Sequence, residues 1–220
     1  MQKAFTLAEV LLTLAIIGVV AALTIPAVVT KITKDQYVTG LKKAYNTLKA
    51  VEREAIQVHG PMENWDWSTG TTTSDFEKYF LPHFDVLKNC GATTEKGCFA
   101  TGLTNLSGGT YDDFNSIYYY KIVTSDGMSW AYEKSPSTTP LYMQGVFYVD
   151  VNGLKSPNRW GRDIFEFWVY PSNLGIKPRG SYKLDGKTPR STSDIDSACN
   201  TSTGDEFCAA KVLSEGKMDY

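Results

Sequence analysis

From Phe5 to Val29 the chain carries 25 consecutive residues that are apolar, small, threonine or proline, with the single exception of Glu9. Nothing else in the sequence restricts its fold as strongly. At 1.5 Å per residue such a run makes a helix of about 37 Å, enough to cross a hydrocarbon core of about 30 Å. It is also longer than the apolar part of a secretory signal peptide, about 7–15 residues, so it is expected to stay with the mature chain. Glu9 is the anomaly. A carboxylate in the bilayer core costs roughly 2.5–3.5 kcal/mol on insertion scales, and a plain anchor would exclude it.

The remainder of the chain has the makings of a folded domain. Hydrophobic residues make up 42% and aromatic residues 13%, which separates the chain from disordered sequences. Four cysteines, Cys90, Cys98, Cys199 and Cys208, all lie well beyond the apolar run, and none is in a two-residue spacing. Neither His59 nor His83 has a partner pattern, so a zinc site is not expected. The cysteines read as two short disulfide loops, 90/98 and 199/208, although four cysteines permit 3 connectivities. Disulfides imply an oxidising compartment for the domain. The lysines disagree: Lys31, Lys34, Lys42 and Lys43 follow the apolar run while Lys3 precedes it, which by the positive-inside rule favours the opposite orientation. We give the cysteines more weight and expect an extracytoplasmic domain. A formal net charge of −2 argues against nucleic acid as a partner.

Lys3-Ala4-Phe5-Thr6-Leu7-Ala8-Glu9 followed by an uninterrupted apolar helix closely resembles the prepilin signature of type IV pilins and type II secretion pseudopilins. In that family a membrane prepilin peptidase cuts on the cytoplasmic side just before the phenylalanine, and the new amino terminus is methylated. The resemblance implies a leader of residues 1–4, cleavage between Ala4 and Phe5, N-methylation of Phe5, and Glu9 as the fifth residue of the mature chain. Ala4 departs from the glycine usual in the family. Pro26 matches a proline common in pilin helices. The implied function is that of a structural subunit of a type IV pilus or secretion pseudopilus. Its implied partners are other pilin or pseudopilin subunits, the prepilin peptidase, the inner-membrane assembly machinery and membrane lipid. The implied location is the cytoplasmic membrane, crossed once, and then a filament in the periplasm or on the cell surface. The alternative is a minor pilin acting as a tip adhesion or DNA-uptake module, with Trp65 and Trp67 as contacts unless they pack beneath their own loop.

This reading gives Glu9 a physical purpose. A buried carboxylate persists when it is paired, and the amino terminus created at Phe5 supplies a positive charge at similar depth on a neighbouring helix. Contacts of that head-to-tail kind do not close on themselves and so build filaments. A snorkelling carboxylate near the end of a plain anchor is the competing reading.

Beyond Pro26, which is expected to kink the helix, Tyr37, Leu41, Ala44, Leu48, Val51, Ala55 and Val58 step by three and four and form an apolar stripe. His59-Gly60-Pro61 is a stop signal. The expected organisation is therefore 5–29 transmembrane, 30–59 amphipathic, and 60–220 globular. Ser74 with Glu77 reads as a capping box. Ile117–Val123, Met128–Tyr132, Val146–Val151 and Ile164–Val169 read as strands, with Ser125-Asp126-Gly127 as a hairpin turn. Residues 177–203 read as a surface loop, and Asp205–Leu213 as a short helix. The expected fold class is α+β, a long N-terminal helix packed on an antiparallel sheet of about four strands.

No nucleophile motif, metal-ligand cluster or phosphate-cradling glycine loop is evident, so neither catalytic residues nor an obligatory cofactor is expected. One group of oxygen ligands remains, Asp150, Asn152, Asn158 and Asp163. Related pseudopilins can hold calcium in a late loop, and the resemblance implies these residues as candidate ligands. The EF-hand spacing is not met, because Leu154 and Lys155 stand where a ligand and the glycine belong. A plain turn through Asn152-Gly153 is the other reading.

Overall fold

The computed structural model of the chain describes residues 6–135, 142–171, 174–202 and 204–220. It divides into two compact units, Met1–Gln36 and Tyr37–Tyr220, and helix α1, Leu7–His59, contributes to both. In the first unit the helix leaves its apolar side chains uncovered, among them Leu11, Leu14, Ile17, Val20 and Leu23. It is long and apolar enough to cross a membrane. Its threonine hydroxyls are satisfied along the helix, Thr24 donating to the Val20 carbonyl and Thr30 to the Pro26 carbonyl, each at 2.9 Å. Such internal pairing is what a medium without water demands. Pro26 lies within the continuous helix. Having no N–H, it leaves the carbonyl one turn earlier without its helical donor.

In the second unit the stripe on α1 is buried as its spacing requires: Tyr37, Leu41, Ala44, Leu48, Val51 and Ala55 are all in the core. Val58 is not; the helix ends at His59, and Val58 stays exposed. Beyond α1 come α2 (Thr72–Asp75), a wide helical turn Phe76–Phe80 and a tight one at Leu81–His83. Six strands follow: β1 Val86–Gly91, β2 Tyr120–Thr124, β3 Ser129–Lys134, β4 Gly145–Asp150, β5 Ile164–Tyr170 and β6 Gly175–Pro178. They form one sheet in sequence order, every neighbouring pair antiparallel. The chain closes with α3 (Thr192–Ala198), the two-residue strands β7 Cys199–Asn200 and β8 Gly204–Asp205, and α4 (Cys208–Glu215).

Strand alternation decides which side chains meet α1. In β5, Phe165, Phe167 and Val169 join the core that contains the helix stripe, while Ile164, Trp168 and Tyr170 belong to clusters that exclude it. Trp130, Tyr132, Phe147 and Val149 share the helix side. The other face is covered too, by Phe99, Leu103 and Phe114 from the segment between β1 and β2. All seven residues of β5 are consequently buried. The β2–β3 turn closes with Gly127 at φ 85°, a left-handed conformation that glycine adopts without strain, and its N–H donates to the Thr124 carbonyl at 2.8 Å. Lys43 on α1 pairs with Asp126 of that turn at 3.0 Å.

The structure departs from the sequence-based expectation in several places. The sheet has six strands rather than about four. Both additions are edge strands whose composition hides them: β1 carries exposed Leu87 and Lys88 and two irregularities in its register, and β6 begins with glycine and ends with proline. A proline is tolerated at an edge because its missing N–H is not needed by a neighbour. The capping box is formed by Thr71 and Ser74, each side chain accepting from the other's backbone N–H, and not by Ser74 and Glu77. Glu77 instead accepts from the Tyr120 hydroxyl at 3.0 Å. The expected surface loop of residues 177–203 instead holds the end of β6 and helix α3, capped by Ser191, with Thr203 outside the described residues. The last helix begins at Cys208, because Asp205 is held in the β7–β8 pairing.

Candidate functional site

Ala4 and Phe5 lie outside the described residues. Glu9 lies in the first turn of α1 and is exposed. Its Oε2 accepts from the Thr6 backbone N–H and from the Thr6 hydroxyl, both at 2.8 Å, while the Glu9 N–H donates to Thr6 Oγ1 at 3.3 Å. That is a reciprocal capping box. It satisfies amide groups that the start of a helix leaves unpaired. The sequence carries the signal for it as Thr6-x-x-Glu9. A carboxylate held this way at a helix start also sits at the positive end of the helix dipole. In the first unit exposed apolar side chains flank it on both sides, Leu7 before it and Val10, Leu11 and Leu12 after it.

The four oxygen-bearing residues of the second candidate site run from Asp150, the last residue of β4, through the loop to Asp163, just before β5. Asp150 and Asp163 are buried, while Asn152 and Asn158 are half-buried. Asp163 accepts from the Asn158 N–H at 2.9 Å and the Arg159 N–H at 2.7 Å, and Asn158 takes a left-handed φ of 52°. Asp150 Oδ1 accepts from the Asn152 N–H at 3.2 Å. Asp150 Oδ2, Asn152 Oδ1 and Asn158 Oδ1 find no hydrogen-bond partner among the described residues. Burial pushes the Asp150 carboxyl up to about 9, with the nearby Asp163 charge adding to it. Burial likewise raises Asp163. Burial raises the phenol of Tyr37 on α1, and the nearby Asp163 charge adds to it. Gly40 makes room for this loop, since a Cβ there would stand 3.0 Å from Val151 Cβ. Unpartnered carboxylate and amide oxygens are the hard donors that calcium takes, so the set fits that ion in kind. It falls short in the number of charged ligands, because no cluster of three or more His, Cys, Asp or Glu side chains suited to a metal occurs among the described residues.

The cysteines pair as Cys90–Cys98 and Cys199–Cys208, with Cα separations of 6.2 and 4.9 Å. The second bridge ties the start of α4 to β7. Trp65 and Trp67 do not present a contact surface. Both are buried, their indole N–H groups donate at 2.8 Å to the Gly60 and Met62 carbonyls, and Trp65 stacks on Tyr79 at 4.3 Å.

Residues 1–25 match the prokaryotic N-terminal methylation motif, the signature of type IV pilins and pseudopilins. The match covers Phe5, Glu9 and most of the apolar run, and none of the second unit. No curated protein and no solved structure matches the chain.

Proposed function

We propose that the chain is a structural subunit of a type IV pilus or type II secretion pseudopilus, processed between Ala4 and Phe5 and assembled through its N-terminal helix. The observation that carries this reading is the methylation motif over residues 1–25, joined to a helix whose apolar face has no cover of its own. A membrane first and neighbouring subunits later would supply that cover. Glu9 attracts the methylated amino terminus of Phe5 on the adjacent subunit and sets the register of addition. In the isolated chain its carboxylate is held by Thr6, so assembly exchanges a local cap for an intermolecular ion pair. The second unit, with two disulfides, faces an oxidising compartment. In this reading Asp150, Asn152, Asn158 and Asp163 would hold a calcium ion that neutralises the two buried carboxylates and steadies the loop between β4 and β5.

N-terminal sequencing and mass spectrometry of the protein from its native membrane test the processing step. The mature chain should begin at methylated Phe5; an intact Met1 refutes it. Glu9→Val should leave processing unchanged and abolish most filament formation. Filaments assembled by that variant at the normal rate and amount would remove the assembly role from Glu9.

A further inference from the structure

The face of the sheet turned away from α1 carries a cavity of about 260 Å³ that none of the foregoing uses. Its walls are aromatic. Tyr148 from β4 meets Trp160 at 5.5 Å and 86° and Tyr119 at 5.9 Å and 81°, so these rings form two near-square corners. Phe114 touches all three, at 4.8 Å from Tyr119, 4.8 Å from Tyr148 and 5.9 Å from Trp160. Tyr111 extends the wall beside Trp160 at 5.4 Å.

The polar lining is strongly acidic. Asp112, Glu166, Asp205 and Glu206 line it together with one guanidinium, Arg179. That single positive charge is already engaged, with Nη1 on Glu166 at 2.7 Å and Nη2 on Glu206 at 3.2 Å. Glu166 is further satisfied by the Trp168 indole N–H at 2.6 Å. Asp205 is different. Its side chain belongs to a residue only 6% exposed, one oxygen accepts from the Tyr111 hydroxyl at a long 3.4 Å, and Oδ2 has no hydrogen-bond partner among the described residues. The Cys199–Cys208 bridge and the β7–β8 pairing hold it there.

Aromatic faces carry negative quadrupole charge, which attracts a cation placed over them. An excess of carboxylates beside them repels anions and favours a cation. The cavity is smaller than the roughly 300–1,000 Å³ of sites for drug-sized ligands, which suits a compact head group. A hard metal ion would need several oxygen ligands in place of rings. We propose that this cavity binds an organic ammonium cation, held against Tyr119, Tyr148 and Trp160 with Asp205 as its counter-charge.

The proposal does not depend on filament assembly and is tested on the full chain in a non-ionic detergent lacking choline head groups. Calorimetric titration compares choline, tetramethylammonium and 3,3-dimethylbutanol, the uncharged isostere of choline, at constant ionic strength. Saturable binding of both cations is expected, with the isostere at least roughly tenfold weaker. Trp160→Leu and Asp205→Asn should each weaken choline binding by roughly 2- to 30-fold, the range a ring or a counter-charge contributes at a cation. Tyr111→Leu, at a side chain already 44% exposed, changes the wall with little risk to folding and should weaken it at the lower end of that range. Glycerophosphocholine tells a lipid head group from a free ammonium by binding more or less tightly than choline. Equal affinity for the isostere, no saturable binding of either cation, or binding of glucose in their place would overturn the proposal.

Discussion

Glu52 on α1 accepts a hydrogen bond through Oε2 from the backbone N–H of Ile176 on β6 at 2.9 Å, across 124 residues of sequence. The same oxygen receives Lys49 at 2.6 Å. A helix carboxylate thus terminates the free edge of the sheet, and the edge strand cannot drift along the helix. Glu52→Ala should cost about 1–3 kcal/mol, the range for stranding a buried donor, while Glu52→Gln, which keeps an acceptor, should cost less. Gly175 has φ 66°, and a Cβ there would fall 2.1 Å from Glu52 Oε1, so Gly175→Ala should be at least as damaging as Glu52→Ala. Urea unfolding of the three variants gives the order.

The Cys199–Cys208 bridge closes a loop with a sequence separation of 9. By the chain-entropy relation such a loop is worth about 2.5 kcal/mol. The double variant Cys199→Ser, Cys208→Ser should lose about that much, with amide exchange accelerating first in α4. Unchanged exchange in α4 would show that packing alone holds it.

Asp75 is buried beside Lys134 at 3.0 Å, and burial raises its carboxyl above the ordinary 3.8. In the unfolded chain it ionises at the ordinary value, so above that pH the folded state holds the extra proton. Stability from this group is complete below pH 3.8 and is lost as the pH rises through the higher folded value. Asp75→Asn removes the dependence, and Lys134 keeps the Gly70 carbonyl at 2.6 Å. The melting temperature of Asp75→Asn relative to wild type should therefore climb from about pH 4 upward. A difference that stays flat with pH would contradict the burial argument.

A bound ion that prefers the folded chain stabilises it by mass action, by about 2.7 kcal/mol at a hundredfold excess over Kd, and so raises its melting temperature. Calcium added after chelation should stabilise the wild type, and Asp150→Asn should abolish the gain. No shift on adding calcium removes the ion from the loop between β4 and β5.

Trp65 fills core space against Tyr79, Trp67 and Phe80. Trp65→Ala should cost about 3–5 kcal/mol, as for large aromatic truncations in cores. A loss of adhesion with unchanged thermal stability would point instead to a surface role.

Much of this was legible from local pattern. The stripe from Tyr37 to Ala55 repeats every three or four residues because helix geometry sets that period, and the four central strands stand out as short aromatic and β-branched runs bounded by turn residues. The edge strands β1 and β6 escaped notice because partners on one side only place little demand on composition. The Thr71–Ser74 cap was displaced by three residues from the expected one because Phe76 and Phe80 had to enter the core, and their burial sets where the helical turns begin. Glu9 stands out in the sequence as the one carboxylate of the apolar run, and Thr6-x-x-Glu9 carries the capping-box pattern that the structure closes.

The sequence by itself determined the membrane-competent helix, the methylation motif and the α+β class, since apolar run length, short motifs and β-branched or aromatic runs between turn residues act over a few neighbouring residues. The tertiary structure alone decided that Trp65 and Trp67 are interior, that Glu52 closes the sheet edge, and that Tyr119, Tyr148, Trp160 and Asp205 surround one cavity. Those relationships join residues that lie tens of positions apart, and no local periodicity encodes them. They follow from the two-sided burial of a six-stranded sheet, which brings distant segments over the same face.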